Sequence, residues 1–482
     1  MSDLGVWLSQ QSRSDREYFL KYQPRDFVET SGEFDRYYRW VTDFGFIEAK
    51  LELLGVQALI EDYDLARVSD VLLSEGQTET LNLIQGAIRK SAHVLELDKT
   101  QLVGHLLGRL LDFEMPQIQG LLEQAKQSKD SPWLRPLKAN LEPANEGALR
   151  TLVGHTNSVT AVAIALDGKT AISASSDNTL KIWDIKTGAE LFTLTGHTRW
   201  VNAVDIAPDG KTAISASRDN TLKIWDIKTG TELLTLIGHT KEVTAVDIAP
   251  DGKTAISASS DNTLKIWEIK TGTELFTLTG HTSWVNAVAI APDGKTAISA
   301  SGDRTLKIWD IKTGTELFTL TGHTSLVSAV AIAPDGKTAI SASGDRTLKI
   351  WEIKTGTELF TLTGHTSSVS AVAIAPDGKT AISASWDHTL KIWEIKTGTE
   401  LFTLTDHTSW ISAVAIAPDG KTAISASWDH TLKIWEIKTG TELFTLTDHT
   451  SWISAVAIAP DGKTAISASW DHTLKIWEIK TG

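Results

Sequence analysis

Apolar residues are spaced in two different ways along this chain, and the change falls near residue 148. Before that point, apolar positions recur at helical spacing, which is typical of amphipathic helices. Helices are predicted near Asp43–Gly55, through Leu81–Leu95 and Leu102–Leu111, and over Met115–Ser128, where Pro116 favours a helix start. Several such stripes can be buried only against one another, so we expect a helical bundle over residues 1–130.

From residue 148 onward the apolar period becomes two, and short alternating runs are separated by turn sequences. One 42-residue unit occurs eight times, since 8 × 42 = 336 is the number of residues from 147 to 482. Each unit predicts four strands, which in the first copy are Val159–Ala165, Thr170–Ser175, Leu180–Ile185 and Glu190–Leu194. Such units bury their apolar faces only against neighbours, and four-stranded units in radial repetition form a β-propeller.

The two ends of the repeat region predict how the ring closes. The last copy ends at Gly482 after its third strand, whereas Ala148–Val153 matches the fourth-strand sequence of the other copies. This segment is therefore expected to complete the last blade, which removes two exposed sheet edges. The predicted organisation is a helical adaptor domain over residues 1–130, a proline-containing linker over 131–147 and a closed eight-bladed propeller over 148–482.

A Gly-His or Asp-His pair begins the core of each copy, a Trp-Asp or Trp-Glu pair lies near its end, and this spacing resembles the WD-repeat propellers. In that family a His, a Ser or Thr, an Asp and a Trp form a hydrogen-bonded set in each blade. Strand parity favours Ser173 over Ser175, and Asp406 and Asp448 depart from the pattern by replacing the Gly of Gly-His. The resemblance implies one set per copy, with His155, Ser173, Asp177 and Trp183 in the first and His449, Ser467, Asp471 and Trp477 in the last.

The copies differ from one another mainly in two loops, one after Gly-His-Thr and one around the turn Asp. Close to the first loop, one further position alternates among Thr, Asn and Ser. Both loops emerge on the same face of a propeller, and in WD-repeat proteins this face commonly binds partners. Trp and Arg are enriched at binding hot spots. The predicted partner-binding residues are Arg199, Trp200, Arg218, Trp284, Trp386, Trp410, Trp428, Trp452 and Trp470. Alternatively, each of these tryptophans packs against a neighbouring blade.

The helical region contains the stretches F-I-E-A-K-L-E-L-L-G, I-R-K-S-A-H-V-L, L-L-G-R-L-L and P-W-L-R-P-L. With these stretches, residues 34 to 138 resemble the helical segment between the ATPase and the WD repeats of apoptotic protease-activating factors and their bacterial, STAND-type relatives. In that family the propeller senses a ligand and restrains a nucleotide-driven switch. These 482 residues contain no ATPase domain. The resemblance therefore implies either a recognition module or a sensing arm for a STAND-type ATPase encoded elsewhere.

Several patterns imitate catalytic or metal-binding motifs and are predicted to be structural. Ala163–Thr170 resembles a phosphate loop, but it lies between two strands and not before a helix. Eight identical His-Ser-Asp sets fit a structural role better than eight active sites. His388, His430 and His472 lie on consecutive blades, a spacing that disfavours one shared metal ion. We predict a non-enzymatic protein with no catalytic residue, metal ion or cofactor.

Composition limits the class of partner and the location that can be expected. The chain has no cysteine, a net charge of −14 and no long apolar run. These features argue against disulfides, against nucleic acid as a partner and against a membrane span. The N-terminus lacks a secretory pattern, so a cytoplasmic location is expected. A protein of unknown identity is the predicted partner.

Overall fold

The computed structural model describes residues 3–67, 73–128 and 148–479, together with residues 136, 138 and 139. Most of the predicted linker over residues 131–147 therefore lies outside the described residues, as do Gly482 and Trp133. The chain divides into two compact units near residue 151. The helices of the first unit are α1 (Asp3–Gln10), α2 (Arg13–Arg25), α3 (Phe34–Val41), α4 (Phe44–Asp64), α5 (Glu75–Leu95), α6 (Leu102–Leu110) and α7 (Pro116–Gln127). A π-helical turn at Asp26–Thr30 and 3₁₀ turns at Leu65–Arg67 and Lys99–Gln101 lie between them.

Side-chain caps determine where several helices begin. The Asp43 carboxylate accepts a hydrogen bond from the Phe46 amide and begins α4. Ser74 and Gln77 form a reciprocal capping box at the start of α5. The helix predicted over Asp43–Gly55 was too short, because α4 continues to Asp64 beyond a break at Gly55, where φ is 85°. Helices α1 to α3 had not been predicted from the sequence.

Buried polar contacts connect the helices of this unit. The Tyr37 hydroxyl donates to the Asp62 carbonyl at 2.6 Å, and the Tyr63 hydroxyl donates to the Val41 carbonyl at 2.6 Å. Lys50 and Asp62 lie on the two parts of α4 on either side of Gly55, and their charged groups are 2.5 Å apart in the core. Burial raises the pKa of Asp62 to about 7 even though Lys50 lowers it. Buried hydrogen bonds and ion pairs of this kind hold helices in one arrangement.

The second unit consists of short antiparallel strands. The first is β1 (Arg150–Val153). Blade 1 contains β2 (Val159–Ile164), β3 (Thr170–Ser175), β4 (Leu180–Asp184) and β5 (Glu190–Leu194). Blade 2 contains β6 (Val201–Ile206), β7 (Thr212–Ser217), β8 (Thr221–Asp226) and β9 (Thr231–Ile237). Blade 3 contains β10 (Val243–Ile248), β11 (Thr254–Ser259), β12 (Leu264–Glu268) and β13 (Thr273–Leu278). Blade 4 contains β14 (Val285–Ile290), β15 (Thr296–Ser301), β16 (Leu306–Asp310) and β17 (Thr315–Leu320).

The later blades repeat this arrangement. Blade 5 contains β18 (Val327–Ile332), β19 (Thr338–Ser343), β20 (Leu348–Glu352) and β21 (Thr357–Leu362). Blade 6 contains β22 (Val369–Ile374), β23 (Thr380–Ser385), β24 (Leu390–Glu394) and β25 (Thr399–Leu404). Blade 7 contains β26 (Ile411–Ile416), β27 (Thr422–Ser427), β28 (Leu432–Glu436) and β29 (Thr441–Leu446). Blade 8 contains β30 (Ile453–Ile458), β31 (Thr464–Ser469) and β32 (Thr473–Glu478).

Each blade is a four-stranded sheet, and the sheet of blade 8 has the order β1-β32-β31-β30. The first strands of successive blades contact one another in chain order, and β30 contacts β2, so the innermost strands form a closed ring. The predicted fold class, helices followed by a closed eight-bladed propeller, is confirmed. The first strands of blades 8 and 1 thus adjoin as those of any two successive blades do.

Side chains on the innermost strands connect each blade to the next. The Thr160 hydroxyl donates to the Val201 carbonyl at 2.6 Å, and the Ser454 hydroxyl donates to the Val159 carbonyl at 2.5 Å, which joins blade 8 to blade 1. This is the position that alternates among Thr, Asn and Ser. It varies because all three residue types can donate the same hydrogen bond. The other donors are Asn202, Thr244, Asn286, Ser328, Ser370 and Ser412.

Candidate functional site

The predicted blade network is assembled around one buried serine in each blade. In blade 1, His155 Nε2 lies 2.7 Å from Ser173 Oγ, and Trp183 Nε1 donates to the same oxygen at 2.8 Å. His155 Nδ1 lies 2.8 Å from Asp177 Oδ2. Because a carboxylate only accepts, Nδ1 carries the proton that faces Asp177, and Nε2 of the neutral ring accepts from the Ser173 hydroxyl. Ser175 is not part of this hydrogen-bonded network. Its hydroxyl donates to the loop carbonyls of residues 157 and 158.

The same four side chains meet in all eight blades. In blade 8, His449 lies 2.7 Å from both Asp471 and Ser467, and Trp477 donates to Ser467 at 2.8 Å. Burial alone would raise the pKa of Asp471, but hydrogen bonds from His449 and Thr473 outweigh it and hold this pKa well below its ordinary range. Burial lowers the pKa of His449, so its ring is neutral at neutral pH.

This geometry favours a structural role for the His-Ser-Asp sets. Ser173 is completely buried, and its oxygen already accepts a hydrogen bond from Trp183. A nucleophilic serine must reach a substrate, and this hydroxyl cannot do so without opening the blade. The resemblance of Ala163–Thr170 to a phosphate loop also has a structural explanation. Its Asp167-Gly168 pair forms the turn between β2 and β3, with φ of 66° at Gly168.

The two variable loops of each blade lie side by side. We call them the variable loops: the pair after Gly-His-Thr, such as 157–158, and the residues flanking the turn Asp, such as 176 and 178. A backbone hydrogen bond joins them, for example from the Trp428 amide to the Trp410 carbonyl at 2.8 Å. His388, His430 and His472 occupy a turn position with φ of 70°. Within the described residues, no group of three or more His, Cys, Asp or Glu side chains is arranged to hold a metal ion.

Five of the predicted tryptophans form one continuous row, which we call the tryptophan strip: Trp386, Trp410, Trp428, Trp452 and Trp470. The rings of Trp386 and Trp410 stack at 4.5 Å and 8°, and those of Trp428 and Trp452 stack at 4.1 Å and 9°. Both stacked pairs bridge adjacent blades, whereas the tilted contacts of Trp410 with Trp428 and of Trp452 with Trp470 lie within a blade. The middle three rings are half-buried, and the ends of the strip, Trp386 and Trp470, are 40% and 44% exposed.

The remaining predicted residues lie elsewhere on the ring. Trp200 is 43% exposed, and the Arg218 guanidinium lies over its ring at 4.3 Å. Arg218 also pairs with Glu242 of the next blade at 3.4 Å. Trp284 is 49% exposed and packs over Gly302 of its own blade, while Arg199 is exposed. Trp200 and Trp284 thus pack on groups of their own blade and still present ring surface, whereas packing against a neighbouring blade occurs in the stacked pairs of the tryptophan strip.

Comparison with known proteins adds the family. The family model WD domain, G-beta repeat matches residues 147–184, 188–226, 230–268, 272–310, 314–352, 356–394, 398–436 and 440–478. The chain belongs to this WD-repeat family. The chain is similar to the solved structure of the computationally designed Ika8 protein, with a TM-score of 0.63 and 34% identity over 69% of this chain and 100% of that chain.

Two curated proteins match shorter parts of the WD-repeat chain. NACHT domain- and WD repeat-containing protein 1 of Mus musculus is 28% identical over 141 residues, which cover 27% of this chain and 9% of that protein. Target of rapamycin complex subunit wat1 of Schizosaccharomyces pombe is 40% identical over 47 residues, which cover 10% of this chain and 15% of that protein. The chain thus spans only a small part of each relative. In the described part of the chain, no helix is both long and apolar enough to span a bilayer.

Two acidic residues of the WD-repeat propeller were missed in the sequence analysis. Asp205 and Asp247 lie on innermost strands β6 and β10, where the other six copies have Ala. Asp205 Oδ2 accepts from the Ile248 amide at 2.9 Å, and Asp247 Oδ2 accepts from the Ile290 amide at 2.6 Å. Burial and the nearby Asp205 charge raise the pKa of Asp247 to about 7. The replacement of Ala by Asp in two of the eight copies is the sequence signal that could have identified them.

Asp247→Ala is expected to stabilise the protein at alkaline pH. The carboxyl group has an ordinary pKa of 3.8 and a pKa of about 7 in the folded protein. Between these values the folded state binds more protons than the unfolded state, so the free energy of unfolding falls as pH rises. The variant has no carboxyl group at this position, so its free energy of unfolding does not fall in this way as pH rises. At pH 8 it should be more stable than the parent by roughly 1–3 kcal/mol.

Chemical unfolding of parent and variant at pH 5 and pH 8 measures this effect. Asp293→Asn is the matched control, because Asp293 is an exposed carboxylate in a hairpin turn. The difference between Asp247→Ala and the parent should be larger at pH 8 than at pH 5. An equal difference at both pH values would contradict the assignment.

Proposed function

We propose that this protein is a non-enzymatic interaction module that binds a protein partner on the face formed by its variable loops. The observation that carries this proposal is the tryptophan strip, whose end residues Trp386 and Trp470 are 40% and 44% exposed. Exposed aromatic surface on a rigid scaffold contributes much buried area at a small entropic cost. The helical unit then acts as the adaptor that connects recognition to a larger assembly.

The chemistry of the loops supports binding over catalysis. The His-Ser-Asp sets are used within the blades, where each Ser and His is buried. Replacing large aromatic residues by small ones between copies changes a surface without changing the blade network. The variable loops can therefore diverge in partner choice while the fold is kept. A soluble cytoplasmic protein partner is the proposed ligand class, with no cofactor.

Capture experiments with the full-length chain test this function. Trp410→Ala combined with Trp452→Ala removes two members of the strip, and we expect capture of the partner to fall by roughly tenfold or more. Leu317→Ala with Leu359→Ala is the matched control, since these exposed leucines lie on outer strands β17 and β21. Circular dichroism must show that both variants are folded. Equal capture by both variants would contradict the proposal.

A second candidate is a sensing arm that works with a STAND-type ATPase encoded elsewhere. The name of one relative, NACHT domain- and WD repeat-containing protein 1, combines WD repeats with a NACHT domain and favours this candidate. The helical stretches between residues 34 and 138 support it as well. It predicts that the full-length chain co-purifies with an ATPase and that exchange of ADP for ATP changes the amount bound. Absence of any ATPase from the captured fraction would reject it.

A further inference from the structure

On the face formed by the variable loops, each boundary between adjacent blades has one pair of variable residues. The side chains of these pairs differ in size from one boundary to the next. Each pair consists of the residue before the turn Asp in one blade and a residue of the next blade's first variable loop. Trp386 with Trp410 and Trp428 with Trp452 are such pairs, and each contains two stacked indoles. Arg218 with Glu242 is a third pair, joined by a 3.4 Å ion pair. The boundary thus accommodates two large groups.

Three boundaries instead pair a tryptophan with a serine. They are Trp470 with Ser158, Trp200 with Ser176 and Trp284 with Ser260. Ser176 is buried, whereas Ser158 and Ser260 are half-exposed. At these positions a hydroxymethyl group lies where the stacked pairs have a ring. Ser158 holds the position that Trp410 and Trp452 hold in their own pairs, so we expect an aromatic ring from another molecule to fit there, whereas Ser176 and Ser260 hold the position of Trp386 and Trp428.

The boundary between blades 8 and 1 lies at the end of the tryptophan strip. Trp470 contacts Trp452 and Trp428 within the strip at 4.8 and 6.3 Å. Among the described residues, no aromatic ring contacts Trp470 from blade 1, and Trp470 is 44% exposed. A ring stacked on Trp470 above Ser158 would extend the strip by one member. Offset or parallel stacking at a partly buried position is a favourable aromatic contact.

The distribution of charged residues around the propeller indicates which residues of the partner accompany that aromatic side chain. The variable loops of blades 6, 7, 8 and 1 contain no Lys or Arg. Those of blades 2 to 5 contain five cations and one anion, which are Arg199, Arg218, Lys241, Arg304, Arg346 and Glu242. A segment that starts at Trp470 and runs over blade 1 therefore reaches the cations of blade 2. Carboxylates at that end of the segment complement Arg199 and Arg218.

The same distribution disfavours a nucleic acid at this position. A stacked base carries a phosphate directly beside it, and blades 7 and 8 have the acidic Asp406 and Asp448 in place of the Gly of Gly-His. Phosphate binding requires adjacent cations, and blades 8 and 1 supply none from Lys or Arg in their variable loops. A peptide can place its aromatic side chain and its carboxylates several residues apart. The observations therefore favour a peptide.

We propose that the boundary between Trp470 and Ser158 receives an aromatic side chain of an acidic peptide segment, whose carboxylates then contact Arg199 and Arg218. This inference rests on the proposed function and specifies the class of partner for one part of the variable face. The aromatic side chain supplies the anchor, and the charges set the direction in which the segment crosses blade 1.

The test uses the full-length protein and a fluorescein-labelled peptide with one tyrosine, a short Gly-Ser spacer and a run of glutamates. Ser158→Trp should place an indole on Trp470 and weaken binding of the peptide by roughly tenfold or more, as should replacement of the peptide's tyrosine by alanine. Ser260→Trp is the matched control, because it introduces the same side chain at the boundary of blades 3 and 4. That control should leave the affinity unchanged.

Further variants separate the anchor from the charges. Arg199→Ala with Arg218→Ala should weaken binding and reduce its dependence on salt concentration. Near-ultraviolet circular dichroism should detect an additional stacked indole pair in Ser158→Trp. If Ser158→Trp does not fold, Trp470→Ala replaces it and must show the same loss of peptide binding.

Three outcomes would overturn the inference: no binding of the peptide, unchanged affinity in Ser158→Trp or Trp470→Ala, or stronger binding of a single-stranded oligonucleotide of equal length. The proposed function fails separately. If Trp410→Ala with Trp452→Ala abolishes partner capture while Ser158→Trp does not reduce it, the function stands and the assignment of this boundary is wrong.

Discussion

Leu152→Asp should open the propeller between blades 8 and 1 and lower the free energy of unfolding by about 4 kcal/mol or more. Leu152 is 1% exposed and lies on β1, the strand that completes the sheet of blade 8. A charge at this position is buried without a partner. Displacement of β1 leaves β32 as an unpaired edge, so the penalty includes lost strand pairing as well as desolvation. Denaturant unfolding measures the loss of stability.

Two controls distinguish ring opening from local damage. Val153→Asp changes the next residue of the same strand, which is exposed, and should cost about 0.5 kcal/mol or less. Leu194→Asp places the same charge at the equivalent buried position of blade 1, whose strands are continuous in the chain. Hydrogen exchange should show lost protection in β30 to β32 for Leu152→Asp but not for Leu194→Asp. Similar stability of Leu152→Asp and Val153→Asp would exclude closure by β1.

Ser425→Ala should destabilise the protein by about 2–4 kcal/mol although it removes one oxygen atom. Ser425 Oγ lies 2.7 Å from His407 Nε2 and accepts from Trp435 Nε1 at 2.8 Å. Both partners are buried, so the variant leaves an indole donor and an imidazole acceptor unsatisfied away from water. Thermal and denaturant unfolding measure the change.

The repeats supply internal replicates of this experiment. Ser215→Ala and Ser341→Ala remove the corresponding oxygen in blades 2 and 5 and should have similar effects, because each network lies within one blade. Trp435→Phe removes the indole donor, so Ser425→Ala should cost less in that background. Fully additive effects of the two substitutions would contradict the coupling.

How much of the fold was predictable follows from how local each feature is. The strands of each blade depend on short alternating runs and Asp-Gly turns, and the predicted Thr170–Ser175 and Glu190–Leu194 agree with β3 and β5. The helices were predicted less well. The part of α4 beyond Gly55 contacts the part before it through the buried Lys50–Asp62 pair. The local spacing of apolar residues does not indicate such a contact.

The candidate site was predictable only as a set of variable positions. Differences between copies identified Trp386, Trp410 and Trp470, but the stacking of Trp386 on Trp410 connects residues of different blades. The same holds for Asp205 and Asp247. The substitution of Ala is visible in the sequence, while the acceptance of amide hydrogen bonds from the next blade depends on how the inner strands pack.

The sequence by itself determined the eight-bladed architecture, its closure and the identity of the variable loops. Each of these depends on a 42-residue period and on turn chemistry that acts within one repeat. Only the tertiary structure decided which variable residues meet. Contacts across a blade boundary depend on the width of that boundary and on side-chain rotamers, neither of which a repeat encodes. For that reason the indole of Trp428 is half-buried against Trp452, whereas Trp470, at the equivalent position of the next blade, has a serine as its counterpart in blade 1 and is 44% exposed.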